Sequence, residues 1–402
     1  MTRRAAVITT ATTLRFEWVT DRQQFLQLRD AWNVLGTSAI ETIFLTHDWL
    51  AAWLHELAPN AELHVLTAWD GDRLVGALPL SGGPRAGRGR RWAFMGSGTL
   101  TPNHLDIIAE PTVREEVVAG FADLLLGASA MWDTLELDKL PADTETAAAL
   151  ESAFAAADIA TTCSESAICF VCTLPPTYDA YLASRSKNTR KKIGETRRWL
   201  NRQPTAQLAL AETEDEALHA LECLERFHQE RWAEKGYPGA FADGRVVRFH
   251  DAEVRAALAS GSLRMYTLAD GGQTIAVSYN FRVGSTAQGY LTSFDVTCSK
   301  SSPGVLLRAY VLEQLIAEGV TLFDWLEGAE SYKKAWCTHE RVDLCLRVYN
   351  RNLTGQVARI KHTASVTTVR LARRWVSPEL RERVVRTLAR IKSSRETGDA
   401  DS

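Results

Sequence analysis

The reading turns on three runs: Ser302-Pro303-Gly304-Val305-Leu306-Leu307, then Gly319-Val320-Thr321-Leu322-Phe323-Asp324, then Glu327-Gly328-Ala329-Glu330-Ser331-Tyr332-Lys333-Lys334-Ala335-Trp336. The first run is a helix start. Ser302 suits the N-cap, Pro303 the first helical position, and Gly304 lets another group approach the backbone. The opening turn of such a helix carries unpaired N–H groups and partial positive charge, which makes it an anion site. The second run reads as a short strand delivering Asp324, and the third as a turn or two of helix carrying Tyr332, Lys333 and Trp336. A phenol, an ammonium and the carboxylates Asp324 and Glu327 at a strand end have the chemistry of proton donor, oxyanion stabiliser and base. Each run alone has a plainer reading, as a capped helix or as a solvated Lys pair above core aromatics. Their succession points to a site.

Working outward, Leu263–Leu268 and Thr274–Val283 flank the hairpin turn Asp270-Gly271-Gly272, and Ala287–Phe294 reads as the next strand. Helices are expected over Glu214–Trp232 and Gly244–Ser260, and a last strand over Asp343–Tyr349. The first half runs in the same order. Strand Arg15–Val19 is followed by a helix capped by Asp21, a helix opening at Thr46, and a hairpin around Asp70-Gly71-Asp72. Ser81–Arg91 reads as a loop and Asn103–Ile108 as a strand. A helix near Val113–Leu126, strand Trp132–Leu137, helix Thr144–Ala156 and strand Thr162–Cys172 follow. Pro175-Pro176 marks a boundary, so the expected division is 1–175, 176–350 and a basic helical tail over 351–402 in which Ser377-Pro378 opens a second helix. The fold class is α/β (α+β mixed sheet).

Composition is that of a globular chain: 402 residues, 46% hydrophobic, 24% charged and a formal net charge of −3. Seven cysteines do not make a disulfide framework, and no run has the roughly 20 apolar residues of a membrane span, so a cytoplasmic protein is expected. Charge is unevenly placed. Arg185 to Arg202 holds eight Lys or Arg residues against Glu195 alone. This segment is either a solvated amphipathic helix or a docking surface for an anionic partner, whether carrier protein, tRNA, nucleotide sugar or anionic leaflet.

The pattern Ser-Pro-Gly-x-Leu-Leu, then a Gly-Val/Asp strand, then Glu-Gly-x-Glu-x-Tyr-Lys-x-x-Trp resembles the CelD-like acyltransferase branch of the GNAT (Gcn5-related N-acyltransferase) superfamily. It is specific from about Tyr178 to Tyr349; Thr42–Trp53 and the hairpin after it fit more loosely. The chain is also similar to the Fem-type peptidyltransferases, which share a tandem GNAT architecture. The resemblance implies two tandem GNAT-like domains, with a thioester donor in the second and an acceptor in the cleft between them. Acyl-CoA or an acyl carrier protein thioester is the implied donor, and no metal is expected. Carried onto this sequence, the donor lies along Leu291, Thr292 and Phe294 and is cradled by Ser301, Ser302, Gly304 and Val305. The superfamily's Arg/Gln-x-x-Gly-x-Gly/Ala cradle is reduced here to Gly304, which leaves a carrier protein or aminoacyl-tRNA donor open.

For catalysis, Asp295 or Asp324 is a candidate base, Tyr332 the donor to the leaving thiolate, and Lys333 the stabiliser of an oxyanion or phosphate. Acceptor contacts are expected from Asn103, His104, Asp106, Phe227, Arg231, Trp232, Glu327 and Trp336. The acceptor is read as a sugar, polysaccharide precursor or specialised metabolite offering an amine or hydroxyl. The alternatives are aminoacyl transfer from tRNA and a non-catalytic binding protein. Other motifs carry less. Cys169-x-x-Cys172 sits in an apolar strand where residues three apart face opposite sides, and reads as core. His47-Asp48 reads as a helix start, and the glycines of 82–89 do not form a P-loop.

Overall fold

Local chemistry sets the helix starts. Asp21 accepts from Gln24 N at 2.9 Å, Thr46 from Trp49 N at 3.4 Å, and Asp243 from Arg245 N at 2.9 Å. Thr213 and Glu216 form a reciprocal capping box. Both hairpins turn on glycines in the left-handed region, Gly71 at φ 60° and Gly271 at φ 58°. The computed structural model describes residues 14–84, 89–98, 100–328 and 333–375.

The first half contains β1 (Arg15–Val19), α1 (Arg22–Gln27), α2 (Arg29–Ala39), α3 (His47–Glu56), β2 (Glu62–Leu63), β3 (Val65–Asp70) and β4 (Arg73–Leu78). It continues with β5 (Leu80–Pro84), β6 (Arg90–Phe94), β7 (Ile108–Ala109), α4 (Arg114–Gly127), β8 (Thr134–Pro141), α5 (Thr146–Ala156) and β9 (Ala160–Thr173). The second half opens with α6 (Tyr178–Ser184), α7 (Lys187–Leu200), β10 (Gln207–Leu210), α8 (Glu214–Glu234) and α9 (Gly244–Ala259). Then come β11 (Leu263–Asp270), β12 (Gln273–Val283), β13 (Thr286–Phe294), α10 (Pro303–Ala317), β14 (Leu322–Glu327), β15 (His339–Tyr349) and α11 (Leu353–Trp375).

Three expectations change. The region read as a loop over Ser81–Arg91 is largely strand: β5 and β6 pair antiparallel from Leu80↔Phe94 to Pro84↔Arg90, because backbone pairing outweighs the low strand propensity of Gly82 and Gly83. Of the strand expected over Asn103–Ile108, only its end enters a ladder, in β7; His104 takes a left-handed φ of 56°, which breaks the extended run. The single helix expected from Tyr178 is two, broken at Arg185–Ser186, where Ser186 caps α7. The tail helix opened by Ser377-Pro378 lies outside the described residues.

A sheet of four strands, β1-β3-β4-β7, stands beside one of eleven, ordered β10-β11-β12-β13-β14-β9-β15-β8-β6-β5-β2. Near its centre the halves exchange strands. β9, from the first half, lies between β14 and β15, and β15, from the second, lies between β9 and β8. Two parallel pairs hold this array, and each is short. β13–β14 pairs only at Thr286↔Leu322, Ala287↔Phe323 and Gln288↔Asp324, and β6–β8 only at Arg91↔Thr134, Trp92↔Leu135 and Ala93↔Glu136. Beyond the third rung the strands of each pair part.

One apolar core joins the first half to α8, α9 and β12, with the Trp49 ring edge-on to Phe249 at 4.8 Å. A second core lies under α10, α7 and β14. The second half's sheet is therefore covered by α7 and α10 on one face and by α8, α9 and first-half elements on the other.

Candidate functional site

The parting of β13 and β14 has a local cause. The register of β13 against β12 slips between Tyr279↔Leu291 and Asn280↔Gly289, leaving Tyr290 as the extra residue of a bulge. Gly289 stands so close to the Phe323 ring that a Cβ there would lie 2.9 Å from it. The last paired residues, Gln288 and Asp324, form the vertex of a V whose arms run on to Phe294 and Glu327.

Both vertex side chains reach into the first half. Gln288 Oε1 accepts from Ile43 N at 2.8 Å, and its Nε2 donates to Thr42 Oγ1 at 2.9 Å. Asp324 Oδ1 accepts from Leu326 N at 2.7 Å, while Oδ2 accepts from His104 Nε2 at 2.6 Å. His104 Nδ1 donates to Asp343 Oδ1 at 2.7 Å, and the His104 backbone N–H to Asp343 Oδ2 at 3.1 Å. Asn103 adds Nδ2 to Asp343 Oδ2 at 3.2 Å and accepts from Glu327 N, also at 3.2 Å. Asp324 and Asp343 are at most 1% exposed and His104 5%. The left-handed backbone at His104 is what lets its ring and its N–H meet the same carboxylate.

Burial opposes charge on the His104 ring. The bonds and charge of Asp324, with the bond from Asp343, outweigh it and raise the imidazole pKa well above its ordinary value. With both nitrogens protonated, His104 is a cation clamped between two carboxylates. His104, Asp324 and Cys169 also offer ligand atoms within 4.8 Å of one another. A metal there would displace the proton between Nε2 and Asp324, so the ion pair and a metal exclude each other; burial also pushes the Cys169 thiol up to about 11.

A cavity of about 230 Å³ opens on this cluster, between the halves, and is lined by Thr42, His104, Asp106, Gln288, Asp324 and Arg341 among others. Asp106 is bound by the guanidinium of Arg114 and accepts from Ile107 N at 2.7 Å. Its carboxyl nonetheless titrates above its ordinary value, because burial outweighs Arg114.

Other expected site residues lie apart from this cavity. Asp295 follows β13 and accepts from Thr297 N at 2.8 Å and Thr297 Oγ1 at 2.6 Å, holding the turn before α10. Ser302 is the N-cap of α10 by position, yet its φ of 53° is left-handed and its side chain makes no cap bond. Gly304 is buried, with a Cβ position 3.4 Å from the Phe294 ring, and Val305 packs on the second core. Ser301 closes the short turn of 296–301; its side chain, and Tyr332 entirely, lie outside the described residues. Leu291, Thr292 and Phe294 lie on the free arm of β13, half-buried, and Thr292 Oγ1 meets Ser278 Oγ at 3.0 Å.

Lys333 is 6% exposed, and Nζ donates to Trp325 O and Glu327 O, both at 2.9 Å, stapling the end of β14. Glu327 pairs with Lys139 of β8. Trp336 is buried, with the Arg308 guanidinium 5.3 Å from its ring. Phe227, Arg231 and Trp232 sit on α8, where Phe227 is buried and Trp232 stacks on His228 at 5.8 Å. The sequence reading missed Asp343, Gln288 and Arg341. A charged residue amid Val342, Leu344, Cys345 and Leu346 was the available signal for Asp343.

Residues 187–334 match the family model of the acetyltransferase (GNAT) domain. No curated relative matches the sequence. Among solved structures, FemX is similar at a TM-score of 0.62 and 9% identity, over 86% of this chain and 99% of that one. A conserved protein of unknown function from Bacteroides thetaiotaomicron follows at 0.52 and 12%, over 83% of this chain and 100% of that one. The C-terminal domain (DUF2156) of a candidate lysylphosphatidylglycerol synthetase from Agrobacterium fabrum stands at 0.50 and 11%, over 83% and 95%. At these identities the likeness is one of fold.

Proposed function

From a chain with the tandem GNAT, Fem-like fold, we propose an acyltransferase that moves an acyl group from a thioester donor to an amine or hydroxyl acceptor. The two domains are residues 1–175 and 176–350, exchanging β9 and β15. The observation that carries the reading is the V between β13 and β14, with α10 beginning beyond one arm and the His104–Asp324 pair at its vertex. A thioester's amide-bearing arm pairs with the free edge of β13, and its phosphates meet the first turn of α10, where unpaired N–H groups and the helix dipole favour anions. The acyl carbon then lies at the vertex, and the acceptor enters by the cavity between the halves.

In the step itself the acceptor's N–H or O–H attacks the carbonyl, a C–N or C–O bond forms and the C–S bond breaks. One proton leaves the acceptor and one reaches sulfur. Charged His104 gives the proton to the thiolate and, paired with Asp324, recovers one from the acceptor, so the pair ends as it began. Asp343 and Asn103 position the ring. Holding both reactants at the vertex supplies much of the remaining acceleration.

A specific observation favours a second donor. α7 exposes Lys187, Arg190, Lys191, Lys192 and Arg198 along one side while burying Thr189, Ile193 and Thr196 against the body that carries α10. Such a basic face suits an aminoacyl-tRNA, whose binding would fall steeply with salt. The experiment compares unfolding midpoints of the purified protein with acetyl-CoA, longer acyl-CoAs and charged tRNA. A ligand held only by the folded state raises the midpoint, by about 2.7 kcal/mol of stability at a hundred times its Kd. Stabilisation by an acyl-CoA supports the thioester reading, and stabilisation by charged tRNA alone replaces it with aminoacyl transfer. No response to any donor leaves a non-catalytic binding protein.

A further inference from the structure

We propose that the cavity between α2 and α9 binds a primary ammonium group, with Glu253 as its counter-charge. This cavity, about 470 Å³, lies in the seam between the halves and is walled by Trp32, Ile40 and Ile43 on one side and by Glu253 and Val283 on the other. It flanks the same first-half segment as the His104 cavity but shares no lining residue with it.

The argument rests on one carboxyl. Glu253 is 1% exposed, and its Oε2 has no hydrogen-bond partner. An unpaired buried acid is costly, and an apolar or amide side chain would serve packing better. The groups around it offer no remedy. On its own helix His250 is neutral, since burial lowers its pKa to about 3, and it faces the Tyr290 hydroxyl at 3.3 Å. Asp48 of α3 repels charge on Glu253, as Glu253 in turn does charge on Tyr279 of β12 and Tyr290 of β13. The cations at the rim are engaged elsewhere: Arg282 with Glu318 at 3.1 Å and with Gly284 O at 3.1 Å, and Arg29 with Asp48 at 2.8 Å.

An acid without a base, beside an indole ring and below apolar walls, is complementary to an alkylammonium ion: the carboxylate takes its charge, Trp32 its cationic face, and Ile40, Ile43 and Val283 its chain. Burial keeps Glu253 protonated in the free protein, its pKa raised well above the ordinary value. Binding of R–NH₃⁺ therefore expels the carboxyl proton to solvent. Affinity rises with pH until the amine itself loses its proton.

The test uses the full chain and no acyl donor, so its outcome is independent of acyl transfer. n-Butylamine is titrated calorimetrically near pH 7 in two buffers of different ionisation enthalpy, with n-butanol as the neutral isostere. The expected result is saturable amine binding with release of about one proton, at least about tenfold tighter than butanol. Glu253→Gln is expected to weaken the amine by about tenfold or more, while its unfolding midpoint equals or exceeds that of the wild type. Equal affinity for butanol and butylamine, binding without proton release, unchanged binding by the Gln variant, or no binding at tens of millimolar amine each overturns the proposal. Should the Gln variant fail to fold, proton release by the wild type decides.

Discussion

The molecule contains the same device twice, and only one copy is equipped for a donor. In each half a parallel pair of strands holds for three rungs and then parts. In the second half the free arm, β13, leads through a short turn into α10, and the vertex carries Gln288 and the Asp324–His104 pair. In the first half β6 ends in a turn at 95–98, and no helix begins until α4 at Arg114. The groove beside β6 and β8, about 640 Å³, presents Glu136 and Asp138 instead of helix N–H groups. Glu136 pairs with Arg91 at 2.9 Å and Arg347 at 3.3 Å, so its cations are spent and its net field disfavours phosphate. Duplication of the fold has thus left one half to hold a donor and the other to supply His104 to its vertex.

The largest effect is expected at that vertex. Asp324→Asn keeps the shape but removes the charge facing His104; turnover should fall about 10²–10⁴-fold while the fold persists, measured by steady-state kinetics beside circular dichroism. His104→Ala leaves two buried carboxylates facing each other and should cost about 3–5 kcal/mol in urea unfolding. If both variants keep wild-type rates, the two halves do not differ in function at this point.

The same pair predicts a pH dependence. His104 binds its proton more tightly folded than unfolded, so above the ordinary imidazole pKa the native state holds more protons. Its stabilisation is complete below about pH 6.5 and is lost as pH rises through the raised folded value. Urea midpoints from pH 6 to 10 should fall in the wild type and flatten in His104→Ala; parallel slopes would remove His104 from the account.

Gly289→Ala is expected to cost about 1–3 kcal/mol by driving a methyl into Phe323, and to weaken donor binding by moving the vertex. Unchanged donor affinity would mean that the V tolerates reshaping. Lys333→Met frees two buried carbonyls and should cost about 1–3 kcal/mol. Loss of rate in excess of loss of fold would instead assign Lys333 to the donor. The smallest effect belongs to the first half: Glu136→Gln should change stability by at most about 1 kcal/mol and leave turnover and donor binding alone. A rise in acyl-CoA affinity there would reveal a second, suppressed donor site.

Much of the fold was legible because its signals are local. Asp21, Thr46 and Asp243 cap where their side chains reach nearby N–H groups, and Asp-Gly marks both hairpins. The exchange of β9 and β15 was not legible, since both are apolar strands and nothing in an alternating pattern names its neighbour. The loop reading of 81–91 failed for the same reason: the β5–β6 ladder is non-local pairing that Gly82 and Gly83 conceal. At the site, His104 and Asp324 drew attention separately, one as an acceptor contact and the other as a base. They are 220 residues apart, and their meeting depends on the left-handed turn at His104 and on β15 bringing Asp343 between the halves. Ser302 shows the opposite limit, a residue type right for a cap in a backbone conformation that denies it.

The most direct test of the donor assignment is amide hydrogen exchange on the full chain with and without saturating acetyl-CoA. The account predicts slowed exchange along 289–294 and 303–306, with 90–98 unchanged. Protection over 90–98, or none on either arm of the β13–β14 V, would contradict it.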